Sequence, residues 1–176
     1  MDIGLLLLRV LLAAILFAHG TQKALGWFSG PGPAGAEALF GKLGQVPART
    51  KVRLAVVCEL AAATLLLLGL VTPLGAAIAA GTMLVAGFSM IYLNNTFWNS
   101  AGGGEYPIVL SGTALVLGFT GPGRYSLDAL IDSLPWGVNG EQQVLIGLVV
   151  VVVAVVAAYP PLRTVRQARA SRADVG

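Results

Sequence analysis

Cysteine and histidine are almost missing from this chain: Cys58 and His19 are its only representatives. One cysteine forms no internal disulfide and no Cys-x-x-Cys dithiol, and it cannot build an iron–sulfur site. One histidine rules out bis-histidine haem ligation, and the thiol and imidazole count is too poor for structural zinc. No metal site is expected. There is no Ser, His and Asp set at a common depth, and no Gly-x-x-x-x-Gly-Lys or Gly-x-Gly-x-x-Gly phosphate motif. Charge is scarce too, at 11% of 176 residues, which is too little to clothe a soluble domain. The net charge of +3 does not point to nucleic acid, because the basic residues flank apolar runs as topology determinants do.

What fills the chain instead is apolar: 56% hydrophobic residues and a mean hydropathy of +0.82, values of a polytopic membrane protein. Crossing about 30 Å of hydrocarbon takes roughly 20 helical residues. Segments meeting or approaching that length run from Gly4 to Trp27, Lys51 to Leu70, Pro73 to Leu93, Tyr106 to Thr120 (short) and Gln143 to Tyr159, the last expected to stop at Pro160-Pro161. Their lengths and lack of period-two alternation favour helices over strands. The first segment does not read as a cleaved signal peptide, because Asp2 replaces the basic leader, Arg9 interrupts the apolar run and no small-x-small site follows. The expected fold is all-α: a four-helix transmembrane bundle over residues 1–136, a fifth transmembrane helix over 137–161 and a basic tail over 162–176.

Basic residues in short loops stay cytoplasmic. With five spans, the cluster Lys42, Arg49, Lys51 and Arg53 and the cluster Arg163, Arg166, Arg169 and Arg172 fall on one side. Residues 122–141, with Arg124, Asp128, Asp132 and Glu141, fall on the other. The N-terminus is then outside and the C-terminus cytoplasmic. Trp27, Tyr92, Trp98, Tyr106 and Tyr159 read as interfacial anchors at the inner ends, Tyr125 and Trp136 at the outer. Pro33 to Leu43 and Ser126 to Leu134 read as short surface helices, the second with Ser126 as N-cap and a Leu127, Leu130, Ile131, Leu134 stripe. The third segment, crowded with Gly75, Ala76, Ala77, Ala79, Ala80 and Gly81, reads as internal. The fifth has no polar group between Ile146 and Ala158 and reads as peripheral and lipid-exposed.

Against this background the first segment stands out, because Arg9, His19 and Lys23 interrupt it. Ionisable groups at membrane depth face a protein interior or a hydrated pocket. His19 and Lys23 share a face one turn apart, and Lys23 lies within about 40° of Arg9 around the helix. Counted from the cytoplasmic ends, His19 and Glu59 both lie roughly 10 Å deep, with Lys23 a turn shallower. Arg9, in the outer half, needs another partner, a backbone carbonyl or a loop carboxylate such as Asp128. The loop Asn94 to Tyr106 (NNTFWNSAGGGEY) enters from the inner side, with glycines that permit a tight return or close approach to a ligand. A candidate pocket therefore comprises His19, Lys23, Glu59, Asn95, Trp98 and Glu105, and its aromatic and polar mixture suits a quinone-like headgroup. Equally, Lys, His and Glu on adjacent helices can neutralise one another and fix helix register without chemistry. Cys58 points about 100° away from Glu59 and reads as a small packed hydrophobe.

As a set, LLLLRVLLAAILFAHGTQKALGWFSGPG, Glu59 followed by LLLLGLVTPLGA, FWNSAGGGEYP and LGFTGPGRYSLDALI resemble the DoxX family of bacterial membrane proteins over about residues 4 to 131. The resemblance implies a four-helix membrane bundle in the bacterial cytoplasmic membrane, with the fifth helix and basic tail as additions. It also implies association with respiratory, sulfur-oxidising or redox-stress oxidoreductase complexes that work through quinone. Positions matching the family's recurrent polar pattern are Arg9, His19, Lys23, Glu59, Asn99, Glu105 and Arg124; none carries over as a catalytic residue.

Two functions follow as expectations. One is a membrane subunit of a quinone-linked oxidoreductase complex, its polar pocket contacting the quinone headgroup near the cytoplasmic side; whether the chain itself is an enzyme stays open. The alternative is a non-catalytic scaffold or accessory subunit that gathers protein partners at the bilayer, with the tail RTVRQARASRADVG binding anionic lipid or a partner. A small-solute carrier is weaker, since no discontinuous helix pair is evident.

Overall fold

A computed structural model describes residues 2–131 and 140–173, the last two as backbone only. Among the described residues every regular element is a helix: α1 (Asp2–Leu25), α2 (Gly32–Lys42), α3 (Ala48–Leu68), α4 (Thr72–Asn94), α5 (Glu105–Thr120) and α6 (Gly140–Ala173), with single 3-10 turns at Asn99–Ala101 and Asp128–Leu130. Apolar sequences with no water to satisfy their backbone are driven into helices, which pair every N–H and C=O internally. Prolines stand in the first turns of α2 and α4, where a missing N–H costs nothing. Gly69 ends α3 in the left-handed conformation, and the Leu70 N–H returns to the Leu65 carbonyl.

Helices α1, α3, α4 and α5 pack in sequence, α5 touches α1 again to close a four-helix ring, and α6 lies against α4 and α5. The core is small-residue and leucine packing: Leu12, Leu16, Ala62, Leu66, Ala76, Ala80, Ala114 and Leu117 are essentially inaccessible. As expected, α4 is internal. Its buried face runs from Thr72 to Ser89 and is mostly glycine and alanine, so neighbouring backbones come close: a Cβ on Gly81 would stand 3.2 Å from the Ala154 carbonyl oxygen of α6. Helices α1, α4 and α6 are each long and apolar enough to cross a bilayer. Helix α5 is apolar but has 16 residues, and α3, with 21, carries Arg49, Lys51, Arg53 and Glu59.

Two sequence expectations are corrected. Pro160 and Pro161 do not stop the fifth span: α6 continues to Ala173, so the basic tail is largely helical. Proline removes an N–H and crowds the preceding turn, which takes the helical partners from the Val156 and Ala157 carbonyls while the helix runs on. Past the prolines α6 is tied to the loop after α2: Gln45 Nε2, itself buried, donates to the Pro161 carbonyl at 2.7 Å, and within the helix Thr164 Oγ1 donates to that of Pro160 at 3.1 Å. Helix α6 is peripheral, with Val152, Val156 and Tyr159 exposed, yet one stripe (Gln143, Val150, Ala154, Ala158, Val165) is buried against the bundle. The second correction concerns Ser126 to Leu134. Among its described residues, 126–131, only the turn Asp128–Leu130 forms, although Ser126 Oγ does accept the Ala129 N–H at 3.2 Å; Asp132, Leu134 and Trp136 lie outside the described residues.

Candidate functional site

Where the C-terminal half of α1 crosses α3, Gly20 lets the two helices approach so closely that a Cβ there would meet Leu60 Cδ2 at 2.9 Å. That contact brings the Lys23 face of α1 onto Glu59. Lys23 Nζ donates to both carboxylate oxygens, at 2.7 and 2.8 Å, and to the His19 carbonyl at 3.1 Å. Glu59 is 2% exposed and Lys23 21%. Depth counting put His19 level with Glu59, and it is the lysine that reaches the carboxylate. Helical side chains lean toward the N-terminus, so Lys23 extends back one turn to the His19 level. The imidazole stands beside the pair, half-buried, its ring centroid 6.0 Å from that of Tyr106 on α5. Tyr106 was read from the sequence only as an interfacial anchor.

Chemically the pair is a nearly dry, bidentate ion pair, and an ammonium has three donors. All three meet acceptors here. Of the three groups Glu59 is buried, while His19 and Lys23 are both partly exposed.

The other expected pocket residues are held in separate contacts. Asn95 accepts from Arg169 Nη2 at 2.8 Å through Oδ1, in a cleft between α4 and α6. Trp98 is 62% exposed and packs edge-to-face on Phe97. Glu105 Oε2 accepts the Asn99 N–H at 3.0 Å, fixing the loop before α5. The glycines of that loop serve backbone packing: a Cβ at Gly104 would collide with the Gly87 carbonyl of α4, and one at Gly103 with the Phe97 carbonyl. Cys58 is a half-buried free thiol.

At the opposite end Arg9, fully buried, donates from Nη2 to the Tyr125 carbonyl and packs against Gly69, where a side chain would displace it. Asp128 supplies the nearby opposite charge. Asp128 is itself spoken for: its two oxygens accept the Val71 and Thr72 N–H groups at 2.7 and 2.8 Å, while the Leu127 and Asp128 N–H groups donate to the Leu68 and Gly69 carbonyls. A residue 56 positions downstream of Thr72 therefore caps α4. Nothing local in the sequence marks that role. Of the two partners expected for Arg9, the backbone carbonyl makes the contact, while Asp128 acts on it through charge without a direct hydrogen bond.

A family model described as DoxX matches residues 4–91, half of the chain and the part that contains Arg9, His19, Lys23 and Glu59. The FWNSAGGGEYP and GPGRYSLDALI stretches lie beyond the matched residues. No curated protein and no solved structure gives a match. With its helical membrane bundle and the matched first half, the chain belongs to the DoxX family of multi-pass membrane proteins.

Proposed function

We propose that this protein is the integral membrane subunit of a redox complex, and that the rim formed by His19 and Tyr106 in front of the Lys23–Glu59 pair receives a quinone-type headgroup. The observation that carries the reading is the half-buried imidazole held beside a buried ion pair, where the chain passes from apolar helix to interface. An imidazole ordinarily titrates near neutrality and exchanges protons readily, whereas Lys23 and Glu59 neutralise each other and leave His19 as the exchanging group. A quinone needs an aromatic or apolar wall for its ring and a donor for its carbonyl oxygen. Tyr106 and His19 offer both.

The proposal includes orientation: N-terminus outside, C-terminus cytoplasmic, with the site near the cytoplasmic face. Both basic clusters converge on one end of the bundle, since Gln45 reaches the Pro161 carbonyl and Arg169 reaches Asn95, and positive short loops remain cytoplasmic.

The test is quinone content after purification in mild detergent, together with complementation. Co-extracted quinone that is lost in His19→Ala is expected. Protein free of quinone, with full complementation by a His19→Ala, Glu59→Ala double variant, overturns the reading.

A non-catalytic scaffold is favoured by one specific observation, that every Lys23 donor is already met without a ligand. A partner complex that survives both pocket substitutions but not removal of the α6 extension decides for it.

A further inference from the structure

Beyond the proposed quinone contact lies a second site at the same end of the molecule. A cleft of about 230 Å³ opens where the C-terminal ends of α2 and α4 meet the second half of α6, lined by Lys42, Tyr92, Leu93, Asn95, Val165 and Arg169 among others. Among the described residues no carboxylate lines it. The sequence alone treats Arg169 as one more charge in a basic tail, but the inward stripe of α6 that runs through Val150, Ala154, Ala158 and Val165 reaches Arg169 one turn after Val165. The cation is thus carried over the end of α4 instead of outward. Its guanidinium carbon stands 5.8 Å from the Tyr92 ring centroid, a cation–π contact, and Nη2 donates to Asn95 Oδ1 at 2.8 Å. Those two contacts fix the group while most of its N–H donors remain for an acceptor. The wall behind it is equally fixed, because Gln45 holds the Pro161 carbonyl and left-handed Gly44 packs so tightly on Ala168 that a Cβ would clash.

We infer that this cleft binds the phosphate of an anionic phospholipid headgroup, with Arg169 and Lys42 as its cationic ligands and the Asn95 amide as a neutral one. Planar guanidinium donors match phosphate oxygens, and a lysine adds a point charge. The depth fits a lipid better than a soluble phosphate. The cleft sits just past Asn94, where the α4 span ends, so it lies at headgroup level. On α4, one turn toward the bundle centre from the cleft residue Tyr92, Phe88 is exposed and offers an apolar surface to an acyl chain.

The experiment is native mass spectrometry of the full chain, reconstituted with equal phosphatidylglycerol and phosphatidylcholine and stripped stepwise of lipid. The wild type is expected to retain phosphatidylglycerol preferentially. Arg169→Gln is expected to lower that retention by about fivefold, the order expected for one cation at an anionic membrane surface, and Lys42→Gln to act in the same direction. Arg124→Gln, at the opposite end, leaves it unchanged. Lys42 is exposed at a helix end, so its variant answers the question even if Arg169→Gln folds poorly. Equal retention of the two lipids, or retention unaffected by both cleft variants, overturns the assignment. Displacement of phosphatidylglycerol by millimolar inorganic phosphate overturns the lipid as the source and assigns the cleft to a soluble phosphate compound.

Discussion

Lys23 and Glu59 illustrate how a buried charge is tolerated when its partner is fixed and becomes a liability when the partner goes. Glu59→Ala leaves the ammonium facing an apolar wall, and we expect a loss of about 3 kcal/mol, measured by thermal unfolding in detergent. The Lys23→Met, Glu59→Leu double variant is expected to recover most of that stability, because removing both charges also removes their desolvation cost. If the single and double variants are equally damaging, the pair contributes more than mutual neutralisation. Glycines give a second contrast at this scale. Gly104→Ala drives a Cβ into the Gly87 carbonyl and is expected to abolish folded protein, while Gly112→Ala, in the middle of α5 with nothing within 4 Å, is expected to stabilise by about 0.5–1 kcal/mol. Size-exclusion profiles and melting temperatures of the two variants check this. The sequence showed the triple glycine as a place of close approach, but the approaching group proved to be the protein's own backbone.

Among the elements, the α3–α4 hairpin and its strap depend on each other. Val71 opens α4 with φ at 45°, a conformation that β-branched residues avoid. It is held there by the Asp128 carboxylate, which caps the first N–H groups of the helix. Asp128→Ala removes two charge-assisted hydrogen bonds and takes away the opposite charge near Arg9; a destabilisation of about 3 kcal/mol is expected. Asp128→Asn, which keeps one carbonyl acceptor, is expected to lose less, and amide hydrogen exchange at Val71 and Thr72 reads the effect locally. Helix α6 is the element the sequence misjudged. A proline pair predicts a stop from local chemistry alone, whereas the helix runs on to Ala173 and is anchored beyond the prolines by the loop after α2, with Gln45 on the Pro161 carbonyl and Gly44 against Ala168.

At the scale of the whole molecule, the two basic clusters share one end and the Arg9–Asp128 assembly occupies the other, which makes orientation testable. In a Cys58→Ser background, Gln167→Cys is expected to react with a membrane-impermeant thiol reagent only after the cytoplasmic face is opened, and Tyr125→Cys to react in intact cells. The reverse pattern inverts the proposed topology. Composition and run length by themselves determined that the chain is a helical membrane bundle, because an apolar backbone in lipid has few alternatives and a helix must reach across the hydrocarbon. The same is true of the small-residue interior of α4 and the pairing of α1 with α3 through buried charge, since periodicity and depth are properties of a single helix. Which groups actually meet was decided by tertiary structure. Lys23 rather than His19 takes the Glu59 carboxylate, Asp128 caps a helix 56 residues earlier, and Asn95 joins Arg169 instead of the Lys23–Glu59 pair. Such contacts join segments far apart in the chain, and their geometry is set by where whole helices pack, which no local pattern of residues records.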